Sequence, residues 1–182
     1  MRELRVPVWA TILVGWSAIA SCGGDARKAA PAPDFELIAY QGHETLGGER
    51  VKLSEILGKL RRPVVLNFWA AQCPPCRVEM KEFQQVHQTH GDRLLVLGVD
   101  MGPFTNLGTA EEARQLLQEL QVSYPVGIAA GESVVRDYKI LGLPATFFLK
   151  PGGEIQRTWT GVLDRDKLTE LVAELLTASD SR

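Results

Sequence analysis

Apolar positions change their spacing repeatedly along this chain, and each change marks an element. Val64 to Trp69 in "RRPVVLNFWA" is almost continuously apolar and β-branched, the pattern of a strand buried on both faces. "LLVLGVD", Leu94 to Asp100, repeats it. Between them, "RVEMKEFQQVHQTH" sets Val78, Phe83 and Val86 among polar residues, as an amphipathic helix does, and Gly91 ends it. "TAEEARQLLQEL" opens with Thr109 and Glu112 at capping-box spacing and predicts a second helix. "DFELIAY" and "VSYPVGIA" read as short extended segments, and "ESVVRDYKI" as a helix. "ERVKLSEIL" alternates at Val51 and Leu53, then offers Ser54 as the N-cap of a helical turn. "LPATFFLK", "PGGE" and "EIQRTWTG" read as strand, tight turn and hairpin partner. "DRDKLTELVAELLTAS" closes the chain as an amphipathic helix, capped by Asp164 and burying Leu168, Leu171, Val172 and Leu175. Strands alternating with helices, then a hairpin and a helix, imply a mixed sheet with helices on both faces. There are no internal repeats.

The first 33 residues break this pattern. "MRELR" is basic, and Val6 to Ala20 carries no charge and is mostly apolar. That is a secretory signal; about 20 apolar residues would be needed to span a bilayer, and this run is shorter. "IASC" at its end resembles the lipobox of bacterial lipoproteins, in which the cysteine, here Cys22, is lipidated and becomes the N-terminus. Plain cleavage and an uncleaved anchor are the alternatives. Residues 1–22 are thus expected to be a lipoprotein signal peptide. Residues 23–33, "GGDARKAAPAP", are expected to be a flexible tether. One domain is expected over 34–182. The net charge of −2 and 45% hydrophobic content are ordinary for a globular protein and offer nothing to nucleic acid.

Of the three cysteines, Cys22 is assigned to lipid, which leaves Cys73 and Cys76 as a C-x-x-C pair between strand and helix. A cysteine at a helix start is favoured as the thiolate by free N–H groups and the dipole, which activates it as a nucleophile. A second cysteine one turn on can close a disulfide and resolve a mixed disulfide by exchange. Pro74 and Pro75 suit the first helical positions but supply no N–H donors. Two other readings of the pair fit less well. A structural zinc site needs four ligands, and only His43, His87 and His90 are available, the last two expected in solvent; no metal or other cofactor is expected. A structural staple across so short a loop would constrain the unfolded chain little.

"APDFEL", "VVLNFWAAQCPPCRVEM" and "GLPATFFLKPGGEI" together resemble the TlpA/ResA-type exported thiol-disulfide reductases of the thioredoxin-like family, over about Ala32 to Leu176. The resemblance implies an α/β thioredoxin fold: a mixed central sheet flanked by helices, with an N-terminal β-hairpin and a central insertion that holds the Thr109–Leu120 helix. It implies that Pro144 is cis and faces the sulfurs, and that Leu143 offers its backbone to a substrate strand. Trp69, Gln72, Pro74 and Pro75 complete the expected substrate-binding set. Glu79, three residues past Cys76 on the same helix face, is a candidate proton acceptor for Cys76. Three positions depart from the wider pattern. Asn67 replaces the buried aspartate of thioredoxin. Gln72 replaces a common tryptophan and removes a flat apolar contact surface. Lys81 replaces a helix-kinking proline, so a straighter helix is expected.

The expected function is a membrane-tethered thiol-disulfide oxidoreductase that reduces disulfides of exported proteins, as in cytochrome c maturation. Its expected partners are exported dithiol or disulfide substrates and a membrane electron donor. The expected location is a bacterial membrane facing the periplasm or cell exterior. Two alternatives are a peroxiredoxin-type peroxidase, whose T-x-x-C loop is not matched by "AAQC", and a copper-handling thioredoxin-like lipoprotein, whose cysteine spacing differs and which needs a histidine beyond His90.

Overall fold

The computed structural model describes Met1 and residues 30–180. Apart from Met1, the expected signal peptide with Cys22, and the first part of the expected tether, lie outside the described residues. The elements run β1 (Glu36–Gln41), α1 (His43–Leu46), β2 (Arg50–Lys52), α2 (Leu53–Leu60), β3 (Val64–Trp69), α3 (Pro74–His90), β4 (Leu95–Asp100), α4 (Gly102–Thr105), α5 (Ala110–Glu119), β5 (Val126–Ala129), α6 (Ser133–Asp137), β6 (Ala145–Leu149), β7 (Ile155–Thr160) and α7 (Arg165–Asp180). The strands form one seven-stranded sheet in the order β2-β1-β5-β4-β3-β6-β7. Strand β3 is parallel to β4 and β4 to β5; the other pairs are antiparallel. This is the mixed sheet, with a β1–β2 hairpin and an inserted α5, that the sequence predicts.

Strand periodicity divides the core in two. Val65 and Trp69 face a cluster built with Met80 and Phe83 of α3, Leu116 of α5 and Leu171 of α7. Val64, Leu66 and Phe68 face the other cluster, with Ile56 of α2 and Tyr138 after α6. In that second layer the Phe68 ring lies 4.8 Å from Tyr138 and 5.6 Å from Phe147, the latter edge-on. The sheet is covered on both faces, which is why β3 and β4 read as continuous apolar runs.

Several local expectations shift. The fold engages the chain before Asp34: Ala30 O accepts from Ile155 N–H and Ala32 N–H donates to Gly153 O, both at 2.9 Å. Ser54 is inside α2 rather than its cap; its N–H and hydroxyl bind the Asp34 carboxylate at 2.9 and 2.8 Å. The Glu55 side chain instead accepts the Lys52 N–H at the helix start. Val78 is 64% exposed; the buried face of α3 is Cys76, Glu79, Met80, Phe83 and Val86. His87 is half-buried against Tyr124 rather than in solvent, and that burial lowers its pKa. The short helices α1 and α4 carry no periodic signal and were not foreseen. Other expectations hold. Thr109 Oγ1 accepts from Glu112 N–H while Glu112 accepts from Thr109 N–H. Asp164 accepts from Lys167 N–H at 2.8 Å. Gly153 takes φ +84° in the β6–β7 turn, a conformation few side chains tolerate. No helix of the described residues is long and apolar enough to cross a membrane.

Phe68 is fully buried at the centre of the aromatic layer. Phe68→Ala should lower the unfolding free energy by about 3–5 kcal/mol in urea titrations; a loss below about 1 kcal/mol would show that this layer does not support the sheet.

Candidate active site

Strand β3 ends at Trp69, and after four intervening residues α3 begins at Pro74. Cys73 is the N-cap residue of α3, in extended backbone conformation, with prolines at the first two helical positions. Cys73 and Cys76 are joined by a disulfide, their Cα atoms 5.3 Å apart. Cys73 Sγ accepts the Cys76 N–H at 3.3 Å. The two preceding residues are Pro74 and Pro75, so the helix start aims few N–H groups at this sulfur. Cys73 keeps 4% of its surface exposed and Cys76 none. The pair therefore has an outer and an inner member.

Below the inner sulfur lies Glu79, one turn further along α3 and fully buried. Its carboxylate accepts from Asn67 Nδ2 of β3 at 2.8 Å and from the Leu163 N–H at 2.9 Å. Asn67 also donates to Thr146 Oγ1 of β6 at 3.1 Å. Burial pushes the Glu79 carboxyl from 4.5 up to about 7, while the Leu163 N–H and the Asn67 amide pull the other way. Among the described residues no cation offsets the burial, so the Glu79 carboxyl titrates near neutrality. A second buried acid, Asp100, ends β4. It accepts from Tyr40 OH at 3.0 Å and Gly102 N–H at 2.8 Å, and burial raises its pKa.

A family model described as the AhpC/TSA family matches residues 29–158, well over half the chain. The chain belongs to the AhpC/TSA family. It is 35% identical over 137 residues to thiol-disulfide oxidoreductase ResA of Oceanobacillus iheyensis, covering 75% of this chain and 67% of that protein. It is 24% identical over 178 residues to sporulation thiol-disulfide oxidoreductase A of Bacillus subtilis, covering 95% of this chain and 98% of that one. Among solved structures, a thiol:disulfide interchange protein of the thioredoxin family from Chlorobium tepidum superposes with TM-score 0.63 at 22% identity, over 84% of this chain and 99% of that one. The fold is thus the thioredoxin fold.

In this AhpC/TSA-family domain the other expected site residues divide by exposure. The Leu143–Pro144 bond is cis. Phe68 pairs with Ala145 across β3 and β6, so Pro144 sits at the sheet end where β3 delivers the cysteines. Leu143 is half-buried and precedes the ladder. Gln72 and Pro74 are exposed and Pro75 is half-buried. Trp69 departs from expectation: it has no exposed surface and cannot form a contact face. It continues the inward face of Val65 and Asn67, and its carbonyl accepts the Met101 N–H at 2.7 Å. Helix α3 runs unbroken through Lys81. Sequence reasoning missed Thr146, Asp100 with Tyr40, and Leu163 N–H. The three side chains belong to strands, where a polar residue in or at the end of the run carries no signal of its own, and a main-chain donor leaves none either.

Glu79 also leaves a signature in stability. Its folded pKa lies above the unfolded one, so its stabilising contribution is complete below pH 4.5 and is lost as pH rises through about 7. At about 1.4 kcal/mol per unit, the loss is at most roughly 3.5 kcal/mol. Glu79→Gln should flatten the fall in unfolding free energy between pH 4.5 and 8, measured by urea titration at fixed redox state. Identical pH slopes in variant and wild type would remove the buried acid from the account.

Proposed function

We propose that this AhpC/TSA-family protein is a thiol-disulfide oxidoreductase that reduces disulfides of exported proteins while tethered to a membrane by lipid on Cys22. The observation that carries the reading is the disulfide between a helix-cap cysteine that keeps 4% of its surface exposed and a fully buried one a turn away. In the reduced protein, the Cys73 thiolate attacks a substrate disulfide, forming a mixed disulfide and releasing one substrate thiolate. Cys76 then attacks Cys73 Sγ, the second substrate sulfur leaves as a thiolate, and the Cys73–Cys76 disulfide forms. Two electrons pass to the substrate. Cys76 must lose its proton to attack, and Glu79, on the same helix face with a pKa of about 7, is the group to take it. A membrane electron donor restores the dithiol.

Substrate recognition falls to the rim of the pair: Gln72, Pro74, Pro75 and the Leu143–Pro144 segment. Leu143 stands outside the β6 ladder, which begins at Ala145, and its main chain suits an added substrate strand. The names of the curated relatives support the reaction class, and "IASC" supports the lipid. Proteins undergoing cytochrome c maturation are one substrate class that fits. The peroxidase reading gains nothing from the loop, where buried Ala70 occupies the threonine position of T-x-x-C. The copper reading lacks both the cysteine spacing and the downstream histidine.

Cys76→Ser should accumulate mixed disulfides with cellular proteins on non-reducing gels, whereas Cys73→Ser should not; equal trapping by both variants would reverse or abolish the assigned order. For the anchor, wild-type protein should partition into the detergent phase, and Cys22→Ala should block processing or release it. Wild-type protein recovered wholly in the aqueous phase would exclude lipidation.

A further inference from the structure

Three successive side-chain ties join α3 and the loop before it to α5 and the segment after it. Gln72 Nε2 donates to Glu112 Oε1 at 2.8 Å. Arg77, the residue after Cys76, pairs with Glu119 at 2.9 Å. Gln84 and Ser123 exchange two hydrogen bonds, at 2.8 and 2.9 Å. The first two ties flank the cysteine pair in sequence, one just before Cys73 and one just after Cys76.

The Gln72 tie is the most fully built. The Gln72 main chain donates to Leu107 O at 2.8 Å, so the loop before Cys73 is fastened to the insertion twice. The other Glu112 oxygen accepts the Thr109 N–H at 2.7 Å, so this one carboxylate both caps α5 and receives Gln72. Gly108, at φ +125°, lets the insertion lie directly against the loop. A Cβ there would come within 3.1 Å of Ala71 Cβ, 3.5 Å of Gln72 Cγ and 3.4 Å of Glu112 Oε2. These bonds, led by that from Gln72, hold the Glu112 carboxyl below its usual range, and it remains an anion wherever the couple works.

We propose that Gln72 is a positioning residue for the redox couple: it fixes the Glu112 carboxylate against the loop that leads into Cys73, and that charge opposes the Cys73 thiolate and keeps the couple reducing. The inference rests on Cys73 being the nucleophile. Other charges near the pair are already committed. The Arg77 guanidinium is paired with Glu119, Glu79 is bonded to Asn67 and Leu163 N–H, and Asp100 is bonded to Tyr40 and Gly102 N–H. Glu112 is the anion whose position is set by the residue adjoining the attacking sulfur. A glutamine here does what an apolar surface residue could not: it donates to a carboxylate while remaining part of the rim.

The test is the pH dependence of iodoacetamide alkylation of reduced Cys73, at low salt, in wild type, Gln72→Ala, Glu112→Gln and the double variant. Glutamine also serves as the third residue of a capping box, so Glu112→Gln removes charge while keeping the helix start. It should raise the thiolate fraction of Cys73 at pH 6 by roughly two- to tenfold. Gln72→Ala should give a smaller rise in the same direction. The double variant should match Glu112→Gln alone, and the differences should shrink in 0.5 M salt, where charges are screened within about 4 Å. An unchanged or lowered thiolate fraction in Glu112→Gln, or strictly additive effects of the two substitutions, overturns the proposal. If Cys73→Ser, and not Cys76→Ser, accumulates mixed disulfides, the nucleophile assignment fails instead. The two failures are therefore distinguishable.

Discussion

Strand β3 is buried on both faces, and the site depends on that constraint. All six of its residues are inaccessible; all six are paired with β4, and Val64 to Phe68 are also paired with β6. A slip of one residue would exchange Val64, Leu66 and Phe68 for Val65, Asn67 and Trp69 across the sheet, placing an amide in the aromatic layer. The register is therefore fixed. With it are fixed the point where the chain leaves the sheet, the start of α3 and the position of Cys73. The same ladder brings cis-Pro144 to that end of the sheet, and the Asn67 amide reaches both β6 and α3.

The fold was legible where burial is two-sided or periodicity is long. The runs at Val64–Trp69 and Leu95–Asp100, the Thr109–Glu112 box and the face of α7 all read directly, because each pattern has one cheap structural solution. Val78 and Ser54 misled for a common reason. Local type suggested a buried apolar residue and a cap, but tertiary partners decided: α3 presents another face, and Asp34 claims Ser54. The cysteine pair was legible from spacing alone. The burial of Glu79 was not, since glutamate at that spacing is usually solvated; it is explained only by Asn67 and Leu163 N–H arriving from distant segments. Trp69 was expected both to end a doubly buried strand and to meet substrate; the strand pattern prevails, and it is fully buried.

These features set the redox character in a consistent direction. Thiolate stabilisation at Cys73 makes a C-x-x-C couple more oxidising, and this site supplies little of it. Two of the first helical N–H groups are absent because Pro74 and Pro75 occupy those positions, and no histidine lies between the sulfurs. Arg77 is engaged by Glu119. The proton acceptor assigned to the inner sulfur, Glu79, has a pKa near neutrality, matched to a dithiol that must be deprotonated in use.

The direct test of the reductase reading is the reduction potential of the Cys73–Cys76 couple, obtained by equilibrating the domain from residue 30 onward with glutathione buffers at pH 7. The account predicts a value near that of thioredoxin, about −270 mV, and far from the strongly oxidising about −120 mV of DsbA. For two electrons that separation is about 7 kcal/mol and is readily resolved. A potential more oxidising than about −160 mV on the same scale would contradict the account and assign the couple to disulfide formation.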